Sequence, residues 1–308
     1  MASRLLADPI SISKSFSPGH VTGLFEKPPQ YVDDSLLMGS RGAGFSVDRG
    51  ITTSVQVYDN PRRGYRIFIN GREAESQAEV SKWVLEYYLK LLPRDQYFIS
   101  VDHEVGIPIG FGLGSSGAAA LSLSYALNKA FRLGLTQDQA AQVAHRAEIA
   151  CRTGLGTVIA EFAGGFEVRT AAGAPGVGRI WTTPLKDYRA IILCLSPIST
   201  KQVLSRKSSA FRTLAGQMLS ELEEDRSPEN FLAKSADFSH RIGLTSGRCK
   251  LPIAALEKAG IASSVALFGE TVFTLVPKSM SQKAMDALRG FGGILLSCNV
   301  ASTGAKLL

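Results

Sequence analysis

The sequence has no long apolar run and few cysteines. No window approaches the roughly 18 consecutive apolar residues that span a bilayer. Residues 1–16 contain a short apolar patch that Asp8 and Pro9 interrupt, and they lack the apolar core and the cleavage site of a signal peptide. The four cysteines form no CxxC pair and no cluster with histidine; they are Cys151, Cys194, Cys249 and Cys298. This predicts reduced thiols in a cytoplasmic protein and argues against structural zinc.

The chain also lacks a concentrated block of basic residues, internal repeats and low-complexity linkers. Its 34 Lys and Arg outnumber its 27 Asp and Glu, which gives a net charge of +7. Small basic clusters such as residues 61–66 are typical of solvated surface. An anionic small molecule fits this charge balance as well as nucleic acid does.

The 308 residues are enough for one large domain or two medium ones. In the first part, alternating or apolar runs predict strands, and apolar residues at helical spacing predict helices. Residues 51–59 and 65–71 have the pattern of antiparallel strands, and Thr136 with Gln139 resembles a capping box. The other predicted elements here are a helix at 74–92, a strand at 96–105, helices at about 115–133 and at 136–152, a short helix before a strand at 166–170, a loop at 171–179 and a strand at 188–195.

The character of the sequence changes near residue 190. Residues 200–245 are polar and helical in pattern. The segments that follow alternate between helical and strand patterns, at 251–260, 263–269, 271–277, 279–290 and 293–300. Helices interleaved with strands predict an α+β second domain. We therefore predict two domains, residues 1–190 and residues 191–308.

The stretch PIGFGLGSSGA, residues 108–118, places three glycines and two serines before a long Ala/Leu helix. Glycines allow a ligand to approach the main chain, and unpaired amides at a helix start attract anions. The pattern lacks the lysine of GxxxxGK(S/T) and the preceding parallel unit of a dinucleotide fold. Glycines that serve packing alone are the competing interpretation, but the full pattern favours a phosphate-binding loop.

At these residues the sequence resembles the GHMP kinases. PIGFGLGSSGAAA is similar to their central ATP-binding motif, and residues 17–26 lie where the family has its first motif. Segments 39–55, 144–170 and 266–276 are closest to the archaeal pantoate kinase branch. The resemblance covers most of the chain.

The resemblance implies an α+β GHMP kinase fold. Residues 1–190 would be an ATP-binding domain similar to ribosomal protein S5 domain 2, and residues 191–308 a ferredoxin-like α+β domain. It also implies ATP- and Mg²⁺-dependent phosphorylation of a hydroxy acid, namely (R)-pantoate to (R)-4-phosphopantoate in coenzyme A synthesis.

The same resemblance assigns the phosphate and metal residues. Ser116 and Glu148 would hold Mg²⁺, a hard cation that takes hydroxyl and carboxylate oxygens. Glu148 alone would pass for a surface helix carboxylate, and only the glycine loop makes it a ligand candidate. The residues expected to contact ATP are Pro108, Gly110, Gly112, Leu113, Gly114, Ser115, Ser116, Gly117 and Ala118.

For the acid substrate the candidates remain open. Arg169, or alternatively Arg41 with Ser40 beside it, would bind the carboxylate through a bidentate pair. His145 shares a helical face with Glu148 and either contacts substrate or hydrogen-bonds within the core. His20 in the first motif contacts substrate or is structural.

The chain departs from the family at Thr157, where many members have an aspartate that accepts the hydroxyl proton. Threonine cannot be a general base at neutral pH. Glu161, one helical turn on, could replace that carboxylate. The reaction could instead need no strong base, because positioning and charge neutralisation dominate phosphoryl transfer. A different substrate is the third account.

Two rival functions stay open. One is a mevalonate or phosphomevalonate kinase of the same superfamily. The other is a non-catalytic nucleotide- or nucleic-acid-binding paralogue, which has no need for both Ser116 and Glu148. The prediction is a small-molecule partner, no nucleic acid and no membrane, with a homodimer left open.

Overall fold

The computed structural model describes residues 8–27, 33–61, 63–93, 96–198, 210–245 and 247–308. The elements of the first half are β1 Ser11–Glu26, β2 Arg41–Asp59, β3 Gly64–Ile69, β4 Arg72–Glu73, α1 Glu79–Leu91, β5 Tyr97–Val105, α2 Ser115–Phe131, α3 Gln137–Cys151, α4 Thr157–Ala163, β6 Phe166–Ala171 and β7 Arg179–Thr183. Those that follow are β8 Tyr188–Ser196, α5 Ala210–Glu224, α6 Pro228–Arg241, α7 Lys250–Lys258, β9 Ser264–Val265, β10 Glu270–Pro277, α8 Ser281–Leu288, β11 Ile294–Asn299 and β12 Lys306–Leu307.

The first sheet has eight strands, in the order β12-β1-β2-β5-β3-β4, with β6 paired to β2 and β7 to β6. β2 is long enough to pair with β5 over residues 51–59 and with β6 over residues 42–45. Helices α1, α2 and α3 pack together, and α2 lies against β1 and β2. This places the start of α2, after the glycine loop, beside the middle of β1.

The predicted strands at 51–59 and 65–71 exist, but they are not neighbours. β5 lies between them, antiparallel to β2 and parallel to β3. A short connection favours a hairpin from sequence, whereas the fold inserts a later strand whose two edges hydrogen-bond with β2 and with β3. The capping box at Thr136 is confirmed, because its hydroxyl accepts from the Gln139 amide and the Gln139 side chain accepts from the Thr136 amide.

The second sheet has the order β11-β8-β10-β9. Side chains of β8 alternate between two cores, as strand geometry requires. Ile191 and Leu193 face α7 and α8, whereas Ala190, Ile192 and Cys194 lie in a core with α5 and α6. The segment 200–245, which is helical in pattern, contains the two helices α5 and α6, and its residues 200–209 lie outside the described part.

The first and second sheets share one hydrophobic core. Phe45 of β2 contacts Phe231 of α6 at 6.3 Å and Phe273 of β10 at 5.5 Å between ring centroids. Phe166 of β6 reaches the same Phe231 at 5.2 Å. The predicted division at residue 190 falls inside β8, which starts the second sheet at Tyr188. β12 returns to the first sheet by pairing with β1.

No helix in the described ranges is long and apolar enough to cross a membrane.

The first half contains a fully buried histidine that does not belong to the glycine loop. His103 of β5 lies 2.8 Å from Thr53 Oγ1 through Nδ1 and 3.0 Å from Ser81 Oγ through Nε2. Burial lowers the pKa of His103 to about 4. The unfolded chain, with a pKa of about 6.5, therefore binds more protons than the folded chain between these two values.

We expect stability to fall as pH decreases from about 6.5 towards 4, because the folded state holds this ring neutral. By pH 5 the free energy of unfolding should lose about 2 kcal/mol through this group. Urea unfolding of wild type and His103→Gln at pH 7.5 and 5 measures the difference. Equal losses of stability in the two proteins would contradict this assignment.

Candidate active site

A cleft of about 640 Å³ opens between the glycine loop, β1, the segment before α4 and the second sheet. Its described lining combines glycines, which expose main-chain groups, with side-chain hydroxyls, one guanidinium, one imidazole and two phenyl rings. The lining residues are His20, Thr22, Phe25, Ser40, Gly110, Gly112, Leu113, Gly114, Ser115, Ser116, Thr153, Gly154, Leu155, Gly156, Thr157, Arg169 and Phe268.

The glycine loop connects β5 to α2 and has the backbone that its composition predicts. Gly110, Gly112 and Gly114 have φ angles of 86°, 75° and 73°, a region that disfavours side chains. Gly114 is the N-cap of α2, and no described side chain caps that helix start. The first amides of α2 are therefore available to an anion, where the helix dipole also favours negative charge.

The loop is fixed from two sides. The His20 amide donates to the Leu113 carbonyl at 3.0 Å, which ties the loop to β1. Thr271 Oγ1 donates to the Phe111 carbonyl at 2.8 Å, and the Ile198 amide donates to the Gly110 carbonyl at 2.9 Å. The phosphate cradle is thus held between the first and the second sheet before any ligand arrives.

The remaining predicted ATP-contact residues differ in their access to the cleft. Ser115 and Ser116 line it. Gly117 and Ala118 lie deeper, and the Ala118 amide donates to the Gly114 carbonyl at 3.0 Å within the helix. Pro108 precedes the loop and is outside the described lining.

The Glu148 carboxyl group lies near the start of α2, next to the hydroxyl groups of Ser116 and Thr153. Glu148 lies on α3, is 2% exposed, and accepts a hydrogen bond from Thr153 Oγ1 at 2.6 Å. Burial raises the pKa of Glu148, and hydrogen bonds with Ser116 and Thr153 partly oppose that rise. A carboxylate and two hydroxyls are the hard oxygen donors that Mg²⁺ takes, so these residues fit that metal.

Glu161 has a different environment from Glu148. It is fully buried, and neither carboxylate oxygen has a hydrogen-bond partner among the described residues. A Cβ at Gly114 would lie 2.3 Å from Glu161 Oε1, so this carboxyl group packs directly behind the loop. Burial, and secondarily the Glu148 charge, raise the pKa of Glu161 well above its usual range. A fully buried carboxyl group outside the described cleft lining is poorly placed to accept the substrate proton.

Thr157 is the first residue of α4 and lines the cleft. Its methyl carbon faces Gly114 and Gly117, each of which would place a Cβ within 3.3 Å of it. Its hydroxyl faces Gly154, whose Cβ would lie 3.4 Å from Oγ1 and beside Glu148. The hydroxyl is thus on the Glu148 side of the residue and the methyl group on the Glu161 side.

Arg169 supplies the buried positive charge of the cleft. It is 1% exposed, and its Nη1 donates to Glu167 Oε1 at 2.5 Å. Its Nε and the Ser40 hydroxyl have no hydrogen-bond partner within the described part of the chain. A Cβ at Gly156 would lie 2.2 Å from Ser40 Oγ and 3.1 Å from Arg169 Nε, so the two groups are neighbours. Unpartnered buried donors side by side suit a carboxylate.

His20 completes this buried network. Its Nε2 lies 3.0 Å from the same Glu167 oxygen, and its Nδ1 lies 3.3 Å from Thr22 Oγ1. Burial lowers the pKa of His20, against the raising effect of Glu167. A neutral ring that donates to Glu167 leaves Nδ1 to accept from the Thr22 hydroxyl.

Two predicted substrate residues lie elsewhere. Arg41 pairs with Glu26 at 2.8 Å and with Glu223 at 3.1 Å, and it is outside the described lining. His145 Nε2 lies 3.0 Å from the Ser35 carbonyl oxygen and 3.1 Å from that of Met38. This favours the core interpretation of His145, and it leaves Arg169 as the carboxylate-binding candidate that lines the cleft.

Sequence reasoning missed several residues of this site. Glu167 lies two residues before Arg169 on the same face of β6, a spacing that could have identified it. Thr22, Phe25, Thr153 and Phe268 lie inside the segments 17–26, 144–170 and 266–276 that carry the family resemblance, but no spacing within those segments marks them individually as cleft residues.

A second, mostly apolar cavity adjoins the phosphate end. It shares Ser115, Ser116 and Thr153 with the cleft. Its other described lining residues are Ile51, Ile69, Gln77, Ala78, Glu79, Val80, Ser81, His103, Val105, Ile109 and Ala119. Sequence reasoning also missed this cavity, because β2, β3, α1 and β5 each supply only one to a few of its residues.

Comparison with known proteins identifies this architecture. The family described as GHMP kinases N terminal domain matches residues 80–165, which include the glycine loop and Glu148. A solved structure titled phosphotransferase related to CoA biosynthesis pathway superposes with a TM-score of 0.87 at 28% identity, covering 96% of this chain and 98% of that chain. The fold is therefore the GHMP kinase fold.

Curated relatives narrow the family. Pantoate kinase of Thermococcus kodakarensis is 31% identical over 287 residues, which cover 89% of this chain and 91% of the relative. Pantoate kinase of Methanocaldococcus jannaschii is 31% identical over 277 residues, 89% of this chain and 96% of the relative. The chain belongs to the pantoate kinase family of the GHMP kinases.

The two buried glutamates should respond differently to the same substitution. Glu148→Gln removes a charge from the oxygen cluster and should lower kcat by at least about 10²-fold, as loss of one group that stabilises transition-state charge does. Glu161→Gln is nearly isosteric and changes a side chain outside the described cleft lining, so it should keep kcat within about threefold. ADP release at saturating ATP and Mg²⁺ measures both.

The dependence of rate on Mg²⁺ concentration separates a metal role from a folding defect. Glu148→Gln should require more Mg²⁺ while keeping the wild-type Tm. Normal turnover in Glu148→Gln would remove it from the metal site, and loss of turnover in a folded Glu161→Gln would return Glu161 to the mechanism.

Proposed function

We propose that the protein transfers the γ-phosphoryl group of ATP to the primary hydroxyl of (R)-pantoate and releases (R)-4-phosphopantoate and ADP. The observation that carries this proposal is the juxtaposition of two anion-binding features in one cleft. Free helix amides lie at one end, and the unpartnered Arg169 and Ser40 donors lie at the other. The curated relatives named pantoate kinase support this choice of acid.

Different residues along the cleft bind the phosphates, the nucleoside, the metal and the substrate carboxylate. The amides of the glycine loop and of the start of α2 bind the phosphates, and the apolar cavity beside Ser115 and Ser116 takes the nucleoside. Ser116 and Glu148 would hold Mg²⁺, which supplies neutralisation of phosphate charge when bound. Arg169 and Ser40 bind the substrate carboxylate, which fixes the other end of a short acid.

Thr157 positions the acceptor hydroxyl rather than deprotonating it. Thr157 lines the cleft and its hydroxyl lies on the Glu148 side, where it can accept a hydrogen bond from an alcohol. The hydroxyl proton can leave late, because phosphoryl transfer passes through a loose transition state dominated by positioning. Transfer of the phosphoryl group therefore does not require a carboxylate at position 157.

Arg169→Lys tests the carboxylate site while retaining a positive charge beside Glu167. Alanine would instead leave the buried Glu167 carboxylate without its ion-pair partner. Lysine loses the planar fork, so we expect the KM for pantoate to rise about 10- to 100-fold, with the KM for ATP unchanged. Arg41→Lys is the matched control and should leave the KM for pantoate at the wild-type value. The reverse result would transfer the carboxylate role to Arg41.

The function itself is tested by ADP release from purified protein with MgATP and a panel of acceptors. The panel contains pantoate, mevalonate, 3-phosphomevalonate, homoserine and shikimate. Turnover with pantoate alone is the expected result. Turnover with another acceptor of the panel would assign that compound as the substrate. Absence of ADP release with every acceptor, while MgATP still binds, would favour a non-catalytic role.

A further inference from the structure

One wall of the cleft is aromatic, although the other walls are polar. Phe25 comes from the end of β1, and Phe268 comes from the turn between β9 and β10. Their rings meet edge to face with centroids 5.9 Å apart. Phe25 is 4% exposed, so the first sheet holds one ring firmly in the core and the second sheet brings the other ring against it.

The two rings share the cleft with its polar groups. The same lining contains Arg169, Ser40, His20 and Thr22 on the substrate side and the glycine loop on the phosphate side. Apolar surface in such a place binds only an apolar part of the ligand favourably. In an acid held by its carboxylate and phosphorylated at its hydroxyl, that part is the carbon chain in between.

We propose that Phe25 and Phe268 select acceptors whose carbon next to the reacting hydroxymethyl group carries alkyl branches. The inference rests on the proposed function and specifies its substrate class. Pantoate has two methyl groups on that carbon, whereas the straight-chain acid 2,4-dihydroxybutanoate has the same carboxylate and the same two hydroxyls without them. The rings therefore discriminate by apolar contact, while Arg169 and Ser40 bind both acids alike.

The size of the preference follows from the number of methyl groups. Each methyl group buried against an apolar surface contributes roughly a factor of four or more to kcat/KM, and well-fitted pockets reach larger factors. The wild-type protein should thus prefer pantoate over 2,4-dihydroxybutanoate by about 10- to 100-fold. Phe268 is the residue to change, because Phe25 also contributes to the buried core.

The test measures kcat/KM for the two acids with wild type, Phe268→Leu and Phe268→Ala. The preference should fall in steps as the side chain shrinks, to within about threefold of unity in Phe268→Ala. Phe98→Ala is the control, because Phe98 on β5 packs against Tyr58 at 6.4 Å, away from the described cleft lining. It should retain the wild-type preference.

Backbone contacts at this turn require a second measurement. A Cβ at Gly112 would lie 2.9 Å from the Phe268 carbonyl carbon and oxygen, so this turn also supports the glycine loop. The KM for ATP and the Tm report on that support. Equal losses for both acids in Phe268→Ala, or an unchanged preference, would overturn the selective role of the ring.

Failure of this inference is distinguishable from failure of the proposed function. A wild-type protein that phosphorylates pantoate but shows no preference over 2,4-dihydroxybutanoate overturns the inference alone. A wild-type protein that binds MgATP and phosphorylates neither acid overturns the proposed function, and the inference with it.

Discussion

The cleft depends on the contact between the glycine loop and the turn that leads into β10. Thr271 Oγ1 donates to the Phe111 carbonyl at 2.8 Å, and a Cβ at Gly269 would lie 2.4 Å from that same oxygen. The Leu267 amide also donates to the Thr22 carbonyl at 3.2 Å. One short segment of the second sheet thus contacts both the glycine loop and the strand that carries His20 and Thr22. The relative positions of these two parts of the cleft depend on it.

A second constraint is the buried charge beneath the substrate. The Glu167 carboxylate accepts a hydrogen bond from Arg169 Nη1 and forms a second one with His20 Nε2. One carboxylate thus sets the orientation of two side chains on two strands. Such a network is costly to bury unless its partners are complete. Within the described residues, Arg169 retains an unpartnered Nε beside Ser40, and Glu167 retains an unpartnered Oε2. The network therefore leaves both a buried donor and a buried acceptor unsatisfied, and on the proposed function a substrate carboxylate would satisfy the donor.

The sequence predicted what has local periodicity or a dense motif. The capping box at Thr136, most helices and strands, and the left-handed glycines of the loop before α2 all follow from neighbouring residues. Strand order does not, because β5 enters between β2 and β3. The ion pairs of Arg41 with Glu26 and Glu223 could not be predicted from neighbouring residues either, because Glu223 is far from Arg41 along the chain. The sequence correctly placed Glu161 on a helix, but it did not indicate that the carboxyl group is buried without a hydrogen-bond partner among the described residues.

The return of β12 to the first sheet has a consequence for how the chain is made. Residues 306 and 307 pair with residues 16 and 15 of β1, and the Ala305 amide donates to the Glu161 carbonyl at 3.0 Å. On the ribosome, the edge of β1 and this carbonyl of α4 stay exposed until almost the whole of this sequence has emerged. This edge of β1 is thus completed only by a strand near the end of this sequence, and nascent-chain partners can reach it until then.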